Sequence, residues 1–199
     1  MGFFAACWAI SISPGAGAVA AMTAGLNHGV RQGLRMVAGL ILGIWSQLLI
    51  VGVGLGALVA ASPLLFEAIR WLGVGYLLYL GIAQWRAPAR PLVAMDTAPT
   101  SSRSLVMKGW GVNTLNPKGT VFLLAVVPQF LALDQALAPQ YVVIGLTLAF
   151  TDWVVMTGYV MLAAKVLGAL RDPAHVRAIN RVFGTLFVLA ATALALIHH

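Results

Sequence analysis

The sequence predicts an all-α membrane protein in which six transmembrane helices form two inverted repeats of three helices each. Of its 199 residues, 61% are apolar and only 9% are charged, against roughly 25% charged residues in an ordinary soluble domain. The mean hydropathy is +0.94. Because so few charged side chains cannot cover the surface of a soluble protein, lipid must cover much of the surface of this protein. The apolar residues also fall into six runs, two of which contain a polar break at a proline.

Each apolar run reaches the roughly 20 residues that a membrane-spanning helix needs. Proline favours turns between runs because it lacks an amide donor, and Pro63 and Pro173 stand at two such connections. Residues 87–107, rich in proline, serine and threonine, predict a flexible linker. The chain is then a single polytopic domain, 1–199, with repeat one at 1–86 and repeat two at 108–199. The predicted helices cover 3–26, 36–61, 64–86, 108–131, 140–168 and 178–197.

The composition excludes other classes of protein. A formal net charge of +7 could indicate nucleic-acid binding, but the basic residues form no compact patch. The single cysteine, Cys7, excludes an intramolecular disulfide and a paired-cysteine redox or zinc site. The amino-terminal run lacks the basic region of a secretory signal and is followed by further apolar runs, so it predicts a first membrane helix.

The basic residues predict the orientation in the bilayer. Ten of the 12 Lys and Arg residues lie near connections on one side, whereas Arg70 lies on the other side and Lys118 lies inside a predicted helix. Because positive charge concentrates on the cytoplasmic side, both termini are predicted to lie outside the cytoplasm and the linker inside it. The ten are Arg31, Arg35, Arg86, Arg90, Arg103, Lys108, Lys165, Arg171, Arg177 and Arg181.

The two halves of the chain cross the bilayer in opposite senses, because each contains an odd number of helices. This is the geometry of inverted repeats. Two weak internal matches support it: the break at Ser13-Pro14 recurs at Asn116-Pro117, and the Arg-Trp-Leu-Gly beginning at Arg70 recurs as the Arg-Val-Phe-Gly beginning at Arg181.

Both proline breaks predict a substrate site near the membrane midplane. In each, a residue that can cap a helix precedes proline, which is the arrangement that starts a new helix. The residues before Pro14 would rise roughly 18 Å, about half a bilayer. The new half-helices would present positively polarised amino ends and free N–H groups to a carboxylate or carbonyl oxygen. A pair of packing kinks is the alternative.

Two ionisable residues lie deep inside predicted helices. Asp152 is the only carboxylate away from a helix end or loop, and Lys118 follows Pro117 in the first turn of a half-helix. A charge within a membrane is costly and is by default a functional hypothesis. We predict that the two form a coupled pair in which Asp152 carries the proton. A structural ion pair between the fourth and fifth helices is the alternative.

Neutral residues complete the predicted site. Tyr159 lies seven residues after Asp152 on the same helix face, although any neutral polar side chain here could instead be an interhelical contact. Gly39 and Gly43 lie four residues apart and predict close helix packing. The predicted substrate-binding residues are Ser13, Pro14, Gly15, Gly17, Asn113, Asn116, Pro117, Lys118, Gln129 and Tyr159.

These motifs resemble the lysine exporter superfamily. The resemblance rests on the Ser-Pro-Gly-Ala-Gly-Ala beginning at Ser13, the Asn-Pro-Lys beginning at Asn116 and the Val-Pro-Gln-Phe beginning at Val127. The Leu-Asn-His-Gly beginning at Leu26 and the Arg-Val-Phe-Gly-Thr-Leu-Phe beginning at Arg181 look most like the homoserine/homoserine-lactone (and threonine) efflux branch. The resemblance implies an amino-acid exporter of the bacterial inner membrane, driven by the proton gradient and without a cofactor.

We therefore predict a secondary exporter of small neutral amino acids or derivatives (homoserine, homoserine lactone, threonine) by proton antiport, and no enzymatic activity. Export of a leucine-type or basic amino acid, divalent-metal export and a membrane-embedded enzyme remain alternatives. A redox enzyme would need paired cysteines, and a metal site would need clustered ligands where the predicted helices offer only Asp152. The predicted partners are the substrate, protons and the lipid bilayer, without nucleic acid; a homo-oligomer remains open.

Overall fold

A computed structural model shows a bundle of α-helices. It describes residues 2–61, 63–87, 101–132, 134–163 and 172–196. A short 3-10 turn, Val127–Phe130, follows the sixth helix. Eight α-helices lie wholly within the described ranges: α1 (Gly2–Ile12), α2 (Ala16–His28), α3 (Val30–Ala61), α4 (Pro63–Arg86), α5 (Ser102–Thr114), α6 (Pro117–Val126), α7 (Leu137–Met161) and α8 (Pro173–Leu196).

Several helices have the length and apolar character of membrane spans. Within the described residues, the Val30–Gly54 part of α3 and the whole of α7 are each long and apolar enough to cross a bilayer. Helices α1 and α2 pass the same test as a pair that is bent by 54° at the break between them. The prediction of a helical membrane protein is therefore confirmed.

Both proline breaks interrupt helices, but the first is built differently from the prediction. Helix α6 begins at Pro117, and the Oδ1 of Asn116 accepts a hydrogen bond from the Lys118 N–H at 3.1 Å, as expected for a cap. Helix α2 begins only at Ala16, with Gly15 as its N-cap and no side-chain cap. The predicted cap by Ser13, with Pro14 in the first helical position, is wrong. Ser13 closes the last turn of α1, since its N–H bonds to Ala9 O at 3.1 Å, and the first turn of α2 begins two residues later, where the Val19 N–H bonds to Gly15 O at 3.0 Å.

The predicted linker ends earlier than residue 107. Ser101 caps α5, because its hydroxyl oxygen accepts a hydrogen bond from the Ser104 N–H at 3.2 Å, and the helix begins at Ser102. The serine-rich composition that predicted a loop thus contains a helix-start signal. Residues 88–100 of the predicted linker, with Arg90, lie outside the described residues, as does the end of the fifth predicted helix with Lys165 and Arg171.

Helix α3 lies at the centre of the bundle and contacts α2, α4, α5, α6 and α7. Its contact with α5 depends on glycine, as predicted. A Cβ on Gly39 would lie 2.1 Å from the Val106 carbonyl oxygen, and one on Gly109 of α5 would lie 2.4 Å from that of Met36. The two backbones therefore touch. This contact brings Asn113 close enough for its Nδ2 to donate to Leu40 O at 2.8 Å.

Two clusters of buried apolar side chains in the described part of the chain surround the candidate site. One includes Cys7 of α1 and Phe122 of α6, together with residues of α3 and α7. The other includes Met22 of α2, Leu40 of α3 and Met156 of α7. Both clusters contribute side chains to the walls of one cavity, which contains the candidate site.

Candidate functional site

A cavity of about 70 Å³ lies where the two helix breaks meet. At roughly 10–15 Å³ for each water, it has space for about five water molecules, which is the scale of a small solute. Helices α1, α2, α3, α5, α6 and α7 all contribute to its walls. The polar side chains that line it are Ser11, Ser13, Gln47, Asn113, Asn116, Lys118 and Asp152.

The two breaks are joined by a lysine side chain. The Nζ of Lys118, at the start of α6, donates a hydrogen bond to the backbone oxygen of Ser13 at 2.8 Å. A Cβ on Gly15 would lie 3.7 Å from both Cδ and Nζ of this lysine. The lysine thus lies in van der Waals range of the segment between α1 and α2.

Lys118 and Asp152 line the same cavity and interact electrostatically. Ser11 lines the same cavity, and its Oγ lies 3.4 Å from the Oγ1 of Thr151, the residue that precedes Asp152. The amino end of a helix is an unfavourable place for a cation because the helix dipole is positive there. The Ser13 carbonyl and the negative charge of Asp152 offset this cost. A role of the pair in transport stays a prediction.

Two asparagines fix the second break against α3. Asn113 is buried, and its Nδ2 is bonded to the Leu40 carbonyl. Its Oδ1 accepts a hydrogen bond from Asn116 Nδ2 at 3.4 Å, and Asn116 in turn caps α6. The start of α6 is therefore held by a chain of side-chain hydrogen bonds that ends on the backbone of α3.

The sequence analysis missed Gln47. This residue of α3 is 2% exposed, and its Nε2 donates to Asn116 O at 2.9 Å and to Thr120 Oγ1 at 2.8 Å. A carboxamide in the middle of an apolar run could have indicated it, as Asp152 was indicated in α7. Ser11 was also missed, because nothing in the sequence separates it from an interhelical contact.

The structure brings most of the predicted site residues together and leaves four out of the cavity walls. Tyr159 donates its hydroxyl proton to Ile12 O at 2.5 Å and so satisfies a carbonyl group at the end of α1. Gln129 is buried in the 3-10 turn, where its Nε2 lies 3.5 Å from Ala125 O. Pro14 and Pro117 shape the breaks without lining the cavity. Those that line it are Ser13, Gly15, Gly17, Asn113, Asn116, Lys118 and Asp152.

The chain is similar to known membrane transport proteins over nearly its whole length. The sequence model of the LysE type translocator family matches residues 8–197. The chain is 42% identical over 191 residues to the homoserine/homoserine lactone efflux protein of Salmonella typhimurium. This alignment covers 96% of this chain and 92% of that protein. It is 40% identical over 190 residues to an uncharacterized membrane protein of Vibrio cholerae, covering 93% of this chain and 92% of the relative.

A more distant relative is named for the efflux of a different amino acid. The chain is 26% identical over 192 residues to a leucine efflux protein of Enterobacter sp. (strain 638), covering 95% of this chain and 91% of that protein. No solved structure matches this chain.

Proposed function

The chain belongs to the LysE type translocator family, and from this premise we propose that it is a secondary exporter of small neutral amino acids or their derivatives. Translocation is the activity of the family, so the chain is a membrane transporter and not an enzyme. Homoserine, homoserine lactone and threonine are the proposed substrates. The observation that carries the proposal is the small cavity at the two breaks, which presents both a cation and an anion.

The cavity is complementary to both charged groups of an amino acid. The ammonium of Lys118 and the amino end of α6 suit a carboxylate, whereas the carboxylate of Asp152 suits an ammonium group. Apolar side chains line the rest of the wall, among them Ile44, Phe122 and Leu148. A small solute with a zwitterionic head and a short side chain fits this distribution.

Proton antiport follows if substrate and proton compete for Asp152. An ammonium group binds the ionised carboxylate, and a protonated carboxyl group cannot make the same charged contact. Occupation of Asp152 by the substrate and by a proton is then mutually exclusive, which is the condition for exchange.

We also propose that the chain forms six spans in the bacterial inner membrane, as two inverted repeats with both termini outside the cytoplasm. The spans are the α1–α2 pair, α3, α4, the α5–α6 pair, α7 and α8. The packing supports this arrangement: α3 contacts α5 and α6, whereas α7 contacts α1 and α2. The middle helix of each half thus packs against the broken helix of the other half, as inverted repeats require.

Export of a leucine-type amino acid is the second candidate. The apolar part of the cavity wall, which also includes Leu40, Leu123 and Met156, would favour a larger aliphatic side chain. The similarity to a leucine efflux protein points the same way.

Transport by the purified protein in lipid vesicles tests both candidates. Vesicles are loaded with labelled homoserine, threonine or leucine, and efflux is followed with and without an imposed pH gradient. We expect homoserine to leave fastest, and to leave faster when the outside is acidic. An efflux rate that does not depend on the pH gradient for any substrate would contradict antiport. The absence of efflux for all three substrates would contradict amino-acid export. Faster efflux of leucine would favour the second candidate.

A further inference from the structure

We propose that Gln47 is a substrate-contacting residue whose Oε1 accepts a hydrogen bond from the ammonium group of the exported molecule. This inference rests on the proposed function and adds to it a residue that determines affinity. Gln47 belongs to α3, the unbroken helix at the centre of the bundle, and it is almost fully buried at the cavity wall.

The two N–H groups of the Gln47 amide are both in use. One donates to Asn116 O at 2.9 Å and the other to Thr120 Oγ1 at 2.8 Å. The Thr120 hydroxyl donates its hydrogen bond to Asn116 O at 3.3 Å, so its oxygen can accept one from Gln47. This network fixes which end of the amide is nitrogen and which is oxygen. The direction of Oε1 is therefore set by the start of α6.

In the part of the chain that the structure describes, the oxygen end of the amide has no hydrogen-bond partner. Among the described residues, no hydrogen bond reaches Gln47 Oε1, and the residue lines the cavity. A Cβ on Gly119 would lie only 2.7 Å from this oxygen, so glycine at that position makes the space in which the amide lies. Gln47 lines the cavity, so a ligand there that supplies an N–H group can give its acceptor a partner of the kind that a neutral hydrogen bond or a charged group provides.

The neighbouring charges indicate which end of the substrate this acceptor meets. A carboxylate has no hydrogen to donate, so it is drawn to Lys118 and not to an amide oxygen. An ammonium group has three N–H donors, of which Asp152 can use some and Gln47 another. Homoserine and its lactone share this ammonium group. Gln47 therefore contributes to the binding of both, whereas Lys118 serves only the substrate with a free carboxylate.

Two variants remove the acceptor in different ways. Gln47→Leu deletes it, and Gly119→Ala places a methyl group where the amide oxygen lies, while leaving Gln47 in the chain. Alanine is also the better helix former, so Gly119→Ala should not weaken α6 itself. The matched control is Gly111→Ala in α5, where an added Cβ meets nothing within 4 Å.

Binding to the purified protein is measured by ligand-dependent thermal stabilisation, and export by KM in vesicles. We expect both test variants to weaken binding of homoserine and of its lactone about ten- to hundredfold, the range for a lost hydrogen bond to a charged group. The control should bind as the wild type does. N-acetylhomoserine, which lacks the ammonium group, supplies the specificity readout: the preference for homoserine over this probe should fall in both variants.

A purely structural role of Gln47 would lower the melting temperature and leave that preference unchanged, which would overturn the inference. So would wild-type affinity in Gly119→Ala, even if Gln47→Leu does not fold. A wild-type protein that binds homoserine but does not transport it would contradict the proposed function and leave the proposed role of Gln47 in binding unaffected.

Discussion

Lys118 and Asp152 share one cavity because each would be costly to bury alone. A buried charge loses its hydration, and only a partner of opposite charge and additional hydrogen bonds offset that loss. Lys118 bonds to the Ser13 carbonyl, and its charge and that of Asp152 attract each other. The sequence predicts the pair, since both stand out as lone charges in apolar runs. It could not predict Ser13 O as a partner, because that contact depends on how the chain leaves α1.

The variant Asp152→Asn keeps the shape of the side chain and removes the site for a proton. We expect export driven by a pH gradient to fall at least about tenfold, whereas exchange of labelled for unlabelled substrate without a gradient stays measurable. Efflux and exchange in the same vesicles check this. If gradient-driven export is normal and only the melting temperature falls, the pair is structural and Asp152 does not carry the proton.

The variant Lys118→Ala removes the cation proposed to bind the substrate carboxylate. We expect KM for homoserine to rise about ten- to hundredfold, as for a lost charge-assisted hydrogen bond, and KM for the lactone to rise much less. Lys108→Ala, at an exposed lysine of α5, is the matched control and should leave both constants unchanged. Equal effects on the two substrates would show that Lys118 does not recognise the carboxylate.

At the level of whole helices, the two breaks differ in how well a local pattern describes them. Asn116 directly precedes Pro117, which has no amide donor to lose at the start of a helix, so local rules suffice there. At the first break, two residues could serve as the cap, and the choice depends on α1. Because the Ser13 N–H stays bonded to α1, the cap moves to Gly15.

The same limit explains which site residues the sequence could identify. Residues next to a break, such as Gly15 and Asn116, follow from position in the chain and line the cavity. Polarity and depth alone predict Gln129, and a shared helix face with Asp152 predicts Tyr159, but tertiary packing places both outside the cavity wall. Gln47 was overlooked for the converse reason, because its importance comes from a contact with a segment far away in sequence.

Because α3 and α5 are in close contact, one added methyl group between them should strongly lower the stability of the protein. In Gly39→Ala the new Cβ would lie 2.1 Å from a backbone oxygen of α5, so the helices must separate. We expect a destabilisation of about 1–3 kcal/mol, as for other overpacked cores, and weaker transport because Gln47 and Asn113 lie on these helices. Gly54→Ala, in the same helix with open space around it, is the control. Equal melting temperatures for the two variants would contradict this packing argument.

For the whole molecule, the cavity belongs to neither half of the chain alone. Lys118 of the second half bonds to Ser13 of the first, and Gln47 of the first half bonds to Asn116 of the second. If the halves rock against each other during transport, these reciprocal hydrogen bonds lie at the interface that must change. Substrate and proton would then act on the same contacts that hold the halves together, which provides a physical route from binding to movement.

The orientation of the chain gives the last prediction. Four helix ends carry an arginine: Arg31 lies at the start of α3, Arg103 at the start of α5 and Arg177 in the first turns of α8, and Arg86 is the last residue of α4. With alternating spans, these ends share one side of the membrane, and the positive-inside rule makes that side cytoplasmic. We therefore expect a reporter enzyme that needs disulfides to be active when fused after His199 and inactive when inserted within residues 88–100, because disulfides persist outside the cytoplasm. A fluorescent reporter that folds only in the cytoplasm should give the opposite pattern at the same two positions. Cytoplasmic fluorescence from the fusion after His199 would reverse the assigned orientation and would place the start of α1 inside the cell.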